Sequence, residues 1–443
     1  MGRRRAEQPM SEKLQRVAER AESDPQLRFT SLAHLVDEDE LRLAFDRTSS
    51  KAATGIDGLT KEQYGQDLET RLRDLHERLR FGRYRHQPIR RVHIPKGPGR
   101  EGTRPLGISC IEDKVVQGAA TRVLETVFEP VFRDCSYGFR RGRSGHDAIR
   151  SINQMAMFEG VTWILEADIQ SFFDSIDRQM LMEMLQQRVV DRSMLRLVGK
   201  CLHVGVLDGE EFTKPWEGTA QGSIISPLLG NIYLHYVLDD WYERAVRPEL
   251  HGQARLVRYA DDFVIGFASK DDAVQVLEKL GTRMAQFGLQ LHPEKTRLVP
   301  FGRPPKSSKT DGGSGTFDFL GFTVYWERAK KGGWRFAMKT RKASCRKGLM
   351  SLARWCRRHR HLSMRDQHAR LSRSLNGHYN YFAVNGNRRA LERFYETVRR
   401  VWFKWLRRRS QRARTLTWER FQKYLDCYPL PRPRIKVQIW LTP

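Results

Sequence analysis

The sequence is short of acidic charge, of paired cysteines and of long apolar runs. Its 52 Asp and Glu face 79 Lys and Arg, leaving a formal charge of +27. That surplus makes a polyanion the expected partner, nucleic acid ahead of an anionic membrane surface. The six cysteines (Cys110, Cys135, Cys201, Cys345, Cys356 and Cys427) form no close pairs. Such scatter argues against a structural zinc site or a disulfide framework and fits a reduced cytoplasm. No uncharged apolar run suggests a bilayer span, and the first residues, MGRRRA, hold no apolar signal core, so neither a span nor secretion is expected. Ala6 also stands where a myristoylation site has Ser or Thr. What is present is length for two or three domains, 443 residues, and 40% apolar content, enough for a real core.

The informative stretch is RLVRYADDFVIGFA, Arg255 to Ala268. Two runs of β-formers flank Asp261 and Asp262, which reads as a hairpin with the acids at its turn. Adjacent like charges are tolerable only in water or beside a cation. The pattern therefore reads either as a solvated turn or as a divalent-metal site with hard oxygen ligands. Asp239-Asp240 and Asp271-Asp272 show that the dipeptide alone decides nothing. The flanking strands and a third acid upstream set 261 and 262 apart. That acid is Asp168, at the end of the strand-like run Trp163 to Ala167. Carboxylates from separate strands meeting at one point are what two-metal nucleotidyl transfer needs. One ion lowers the pKa of the attacking hydroxyl, and the other steadies the departing pyrophosphate.

ADIQSFFDSID, GTAQGSIISPLLGNIYL and RYADDFVIGF occur in that order. They resemble the third, fourth and fifth sequence blocks of reverse transcriptases, in wording closest to the enzymes of bacterial group II introns. The resemblance runs from about Thr48 to the C terminus and implies an RNA-directed DNA polymerase. Its fold would be α/β (α+β), a right hand of fingers, palm and helical thumb or maturase domain. The implied division is 1–47 N-terminal extension, 48–162 fingers with the N-terminal block, 163–339 palm with the remaining fingers elements, and 340–443 thumb. Two Mg²⁺ ions would be held by Asp168, Asp261, Asp262 and the carbonyl of Ile169. Lys96 and Arg104 would meet the triphosphate, Phe173 would exclude a 2′-hydroxyl, and Gln221 would bond nucleotide or template. Lys295, in GLQLHPEKT, would protonate the leaving pyrophosphate. A surface or phosphate-pairing lysine is the plain alternative there, as a solvated basic turn is for Lys96 and Arg104 and core packing is for Phe172 and Phe173.

Tyr137 to Ser144, YGFRRGRS, resembles the block bordering the template. Arg140, Arg141 and Arg143 would contact phosphates there, with Tyr137 or Phe139 stacking on a base or lying in the core. FDFLGFTV, from Phe317, is a strand run like the block that holds the primer end. After Thr340 helices are expected near 344–359, 364–383 and 388–409. Between Arg399 and Arg414 eight of sixteen residues are Lys or Arg, with Trp402, Phe403 and Trp405 among them. Arg399, Lys404 and Arg407 are the nucleic-acid candidates on that face, while the aromatic rings suit core equally well. No Cys- and His-rich endonuclease module follows, so an enzyme lacking that nuclease is expected.

Local signals complete the reading. Residues 1 to about 28 read as a mobile arm or loose helix. Asp37 with Glu40, Thr60 with Gln63 and Ser109 with Glu112 read as capping boxes. Residues 49 to 58 read by composition as a linker and by resemblance as the N-terminal block. Residues 92–96 and 104–108 read as a fingers hairpin, and 178 to 204 as helical. The partners implied are an RNA template, intron RNA, a DNA primer or target, and deoxynucleoside triphosphates, with no membrane. The other readings are an RNA-binding splicing cofactor and a host-adapted relative in defence or DNA repair.

Overall fold

The computed structural model describes residues 10–95, 102–209, 211–213, 218–219, 222–308, 310, 313–329 and 332–440. Among them eleven strands run in chain order: β1 (Ile89–Pro95), β2 (Thr103–Ile108), β3 (Trp163–Asp168), β4 (Val206–Asp208), β5 (Glu211–Thr213), β6 (Ala254–Tyr259), β7 (Asp262–Phe267), β8 (Arg297–Pro300), β9 (Phe317–Phe319), β10 (Phe322–Arg328) and β11 (Trp334–Thr340). They form three sheets, ordered β2-β1-β4-β5, β6-β7-β3-β8 and β11-β10-β9. This mixed helix-and-sheet architecture with a helical C-terminal region is the expected fold class.

The four-stranded sheet β6-β7-β3-β8 is the centre of the molecule, and its neighbouring pairs are antiparallel. β3 is apolar from Trp163 to Leu165 and at Ala167, where both its faces are covered. Ile164 packs with Val257 and Val264 against Ile149, Ile152 and Met155 of the helix Gly145–Phe158. Leu165 and Ala167 share the opposite core with Phe263, Ile265 and the helix Ile111–Phe128. Strand periodicity then places Asp168 on the face of Ile164, at the end where the covering helix gives out.

Several local expectations needed correcting. The N-terminal segment is a docked helix, Glu12–Ser23: Leu14 and Ala21 are buried, and the Arg188 guanidinium donates to the carbonyls of Ala21 and Asp24. Asp37 caps its helix through the Glu40 N–H, but the Glu40 carboxylate turns inward to Arg122 instead of closing a box. The Thr60–Gln63 box forms; the helix it opens ends at Gly65, and a second runs Leu68–Arg80. Cys110, not Ser109, occupies the next N-cap, and Glu112 pairs with Arg78. The stretch 178–204 is two helices, Arg178–Gln186 and Arg192–Leu202, the second capped by Asp191. Gly55 in the small-residue loop lies so close to Cys110 that a Cβ would stand 2.6 Å from its backbone, so this loop is packed.

The C-terminal helices are Lys342–Arg358, Met364–Phe382 and Arg388–Arg407, followed by an unanticipated Trp418–Cys427. Leu391, Phe394, Val398, Trp402 and Leu406 make one buried stripe at helical spacing, against which Phe421 and Leu425 pack. The tail then returns to the β11-β10-β9 sheet. Val437 bridges Val384, Ile439 is fully buried, and Trp440 Nε1 donates to the Phe336 carbonyl at 2.9 Å.

Candidate active site

Asp168 is the last residue of β3 and Asp262 the first of β7, and the antiparallel register sets them directly opposite each other. Opposed residues in an antiparallel pair share a face, with Cβ atoms about 5 Å apart. Asp261 sits between them and Tyr259, in the two-residue turn of β6 and β7. As whole residues all three are half-buried, and the Asp262 carboxyl is the most deeply set.

The turn is held from below. Its first residue, Ala260, has φ +57, a conformation that favours glycine and needs support from its surroundings. The support is Arg258, which with Asp239 is fully buried. Its Nε and Nη2 donate to the Asp239 carboxylate at 2.7 and 2.5 Å, and its Nη1 reaches Asn231 Oδ1 at 3.0 Å and the Ala260 carbonyl at 3.1 Å. Asn231 Nδ2 in turn donates to the Gly138 carbonyl at 2.8 Å. Gly138 lies so near the turn that a Cβ would fall 2.4 Å from Ala260 N. One buried ion pair thus ties the acidic turn to the helix Ser226–Leu234 and to the YGFRRGRS segment.

Charge at the site is crowded. Burial, then the neighbouring carboxylates of Asp168 and Asp261, push the Asp262 carboxyl up to about 7, against the Leu320 N–H that favours its ionised form. Glu166, two residues before Asp168 on the same face, is neutralised by Arg297 at 2.9 Å. The Lys295 ammonium is ion-paired with Asp168. It is delivered there by an isolated bridge between Ile169 and Leu291, flanked by Gln170 N to Gln290 O and His292 N to Asp168 O, both 2.8 Å. The Ile169 side chain is buried, so any ligand role falls to its carbonyl. Among the described residues no group of three or more His, Cys, Asp or Glu forms a preformed metal cage. The donor set is nonetheless the hard-oxygen kind that suits Mg²⁺, and the carboxylate repulsion that adds to burial in raising Asp262 is what a divalent ion relieves.

Lys96, Gln221 and the side chain of Arg104 lie outside the described residues. Around them, Thr219 N donates to the Phe173 carbonyl at 2.7 Å, and a Cβ on Gly218 would stand 2.8 Å from the Asp174 carbonyl oxygen. Past the QG motif, Ser223 Oγ and Ile224 N donate to Gln117 Oε1 at 2.8 and 3.0 Å. A cleft of about 360 Å³ opens between this loop and the β1-β2 hairpin, lined by Arg91, His93, Asp174 and Thr219. Phe172 is core at 3% exposure, while Phe173 is half-buried beside it, ring centroids 5.2 Å apart.

The arginines of the YGFRRGRS segment differ in kind. Arg140 is buried: it pairs with Glu129 and donates to the carbonyls of Arg133 and Ser136 at 2.7 and 2.9 Å. The expected phosphate contact gives way to a structural role, because its N–H groups are spent inside the fold. Arg141 pairs with Glu125 and Arg143 with Asp134, both at a more open surface. Phe139 has φ +56, is 56% exposed and stands 6.3 Å from the Tyr259 ring, whereas Tyr137 is half-buried under Arg143. On the thumb, Arg399 is mostly covered, paired with Glu396 and stacked on Trp418. Lys404 and Arg407 are exposed. Trp405 is half-buried beneath Arg357, Lys404 and Arg408, while Trp402 is core.

Sequence reasoning missed Arg258, Asp239, Asn231 and Glu166. The first lies inside the RYADD motif, and its signal was a charge at a strand position whose neighbours are all apolar.

Residues 94–324 match the family described as reverse transcriptase (RNA-dependent DNA polymerase), and the chain belongs to that family. Its activity is RNA-directed DNA synthesis, and its members use divalent metal ions. The chain is 33% identical over 361 residues to protein YkfC of Escherichia coli, covering 74% of this chain and 91% of that one. It is 34% identical over 351 residues to the group II intron-encoded protein LtrA of Lactococcus lactis, covering 66% of this chain and 58% of LtrA. An uncharacterized 91 kDa protein in the cob intron of Schizosaccharomyces pombe is 30% identical over 318 residues, 60% of this chain and 39% of that protein. No described helix is long and apolar enough to cross a membrane.

Proposed function

We propose that the chain copies an RNA template into DNA, with Asp168, Asp261 and Asp262 holding two Mg²⁺ ions at the end of the palm sheet. The observation that carries this reading is the register that sets Asp168 opposite Asp262, with Asp261 in the adjoining turn. When bound, the ions would activate a primer 3′-hydroxyl and offset charge on the leaving pyrophosphate. The protein's own part is positional. Arg258 fixes the turn, the Ile169 carbonyl borders the site, and Lys295 stands where a proton can pass to the pyrophosphate. Lys96, Arg104 and Gln221 take the incoming deoxynucleoside triphosphate, with Phe173 bounding its sugar. Arg141, Arg143, Lys404 and Arg407 meet the template and primer backbones. Residues 48–162, 163–339 and 340–443 act as fingers, palm and thumb behind an extension, 1–47. Primer extension on RNA by wild type and Asp261→Ala tests the assignment, and equal extension by both overturns it.

The likeness to LtrA favours a second role in the same chain, binding of intron RNA to assist splicing. The Trp405 surface, with Arg357, Lys404 and Arg408 around one ring, suits such binding. Splicing supported by Asp261→Ala separates this role from polymerisation. Loss of splicing with RNA binding intact removes it.

A further inference from the structure

The palm hairpin of β9 and β10 turns through Leu320 and Gly321, since Phe319 pairs with Phe322. Both turn residues have positive φ, +48 and +82. Gly321 adopts this freely. Leu320 does not: its Cβ crowds the following carbonyl oxygen in the left-handed region, so neighbouring contacts must hold it there.

Those contacts come from two directions. The Leu320 N–H lies close enough to the Asp262 carboxylate to favour its ionised form. The Leu320 carbonyl accepts from Tyr381 Oη at 2.8 Å. Tyr381 belongs to the last turn of the thumb helix Met364–Phe382. One strained residue therefore has the Asp262 carboxylate near its N–H and a thumb phenol on its C=O.

The phenol is itself fixed. His146 Nε2 faces the Tyr381 carbonyl at 2.8 Å and so is the donor there, satisfying a helix-end oxygen. The Tyr381 ring lies 5.7 Å from Phe322 and 5.3 Å from the His146 ring. A Cβ on Gly145 would stand 3.2 Å from Leu320 Cδ1 and 3.5 Å from Tyr381 Oη, so the absence of a side chain at 145 makes room for the junction. Next to it, Phe382 carbons come within 3.5 Å of a Cβ placed on Gly321.

We propose that Tyr381 is a positioning residue: through the Leu320 carbonyl it holds the strained turn that presents a hydrogen-bond donor to Asp262, coupling the seat of the thumb helix to the alignment of a metal ligand. This rests on the assignment of Asp262 to the metal site. A thumb displaced from its seat withdraws the phenol, frees Leu320 to relax, and loosens Asp262.

Tyr381→Phe removes one hydroxyl and keeps the ring, so it separates the hydrogen bond from packing. Each variant is titrated with Mg²⁺ alone, reading metal-dependent thermal stabilisation, and assayed for kcat and nucleotide KM on a primed RNA template. Loss of one buried hydrogen bond is worth up to about tenfold. We expect Tyr381→Phe to fold, to raise the Mg²⁺ half-saturation severalfold and to lower kcat by about the same factor, with nucleotide KM within about twofold. Leu320→Gly keeps the N–H and relieves the strain, so in that background adding Tyr381→Phe should shift the Mg²⁺ half-saturation by less than about twofold. An unchanged half-saturation in Tyr381→Phe overturns the proposal. So does an equally large second shift in the glycine background, which also decides the matter if Tyr381→Phe alone folds poorly. Extension that survives Asp261→Ala removes the metal-site reading itself, whereas extension and metal binding that survive Tyr381→Phe remove the coupling alone.

Discussion

Lys295 lies against the carboxylate of Asp168, 127 residues back along the chain, as a cation at the edge of the acidic cluster. A lysine there competes with a divalent ion for Asp168 and can also give up a proton to a leaving group. These two roles have opposite signatures when it is removed. In Lys295→Ala we expect Mg²⁺ to bind more tightly to the free protein and single-turnover extension to slow by about 100-fold, the general-acid range. Metal titration and rapid-quench kinetics on one protein sample check both.

The buried pair of Arg258 and Asp239 supports the acidic turn, so the two halves of its contribution can be separated. Arg258→Ala leaves Asp239 charged and unpaired in the interior, and we expect a loss of about 3–5 kcal/mol by thermal or urea unfolding. Arg258→Met combined with Asp239→Leu removes both charges at similar volume. That double variant should recover most of the stability but not the extension activity, because nothing then holds the Ala260 carbonyl. Full activity in a stable double variant would mean that the pair serves folding alone.

Asp262 makes the metal-free protein sensitive to pH. In the fold its carboxyl keeps its proton up to about 7, while in the unfolded chain it ionises near 3.8. A raised folded-state value means that stability present below about pH 4 is lost as pH climbs through 7. The amide introduced by Asp262→Asn does not titrate. The melting temperature of this variant minus that of wild type should therefore grow between pH 4 and 7 by at least about 2 °C and then level off. Adding Mg²⁺ above pH 7 should narrow the gap by stabilising wild type alone. Calorimetric scans in chelator and in Mg²⁺ test this.

Phe139 and Arg140 are adjacent in the chain and opposite in exposure. Phe139→Ala should weaken RNA-template binding by about tenfold, the worth of one stacked base, with little change in melting temperature. Arg140→Ala should do the reverse. Stripping hydrogen bonds from Glu129 and two carbonyls costs about 2 kcal/mol of stability and leaves template Kd within about twofold. Fluorescence anisotropy with a labelled template, beside thermal melts, distinguishes them.

Most of the C-terminal helices were readable because amphipathic helices announce themselves over many turns. The stripe from Leu391 to Leu406 is periodic however the rest folds. The acid pair across β3 and β7 was readable because strand ends and apolar flanks are local signals. What escaped were choices between partners far apart in the chain. Glu40 had a box to close three residues away and took Arg122 instead, since a buried guanidinium needs a carboxylate more than an exposed N–H does. Arg258 looked like one more basic residue in a basic chain. Only the closed sheet shows that it has no route to water. Tyr381 read as ordinary helix content, and nothing nearby in sequence points at Leu320.

The return of the tail to the palm carries a consequence for biosynthesis. Ile439 fills the same apolar cluster as Val264 and Phe322, and Trp440 closes onto the strand holding Phe336. While the ribosome still holds these residues, the palm they complete stays open on that side. A nascent chain that already bears Asp168, Asp261 and Asp262 is then unfinished, and stalled or nicked chains ending before 437 should be protease-sensitive around the sheets that carry them.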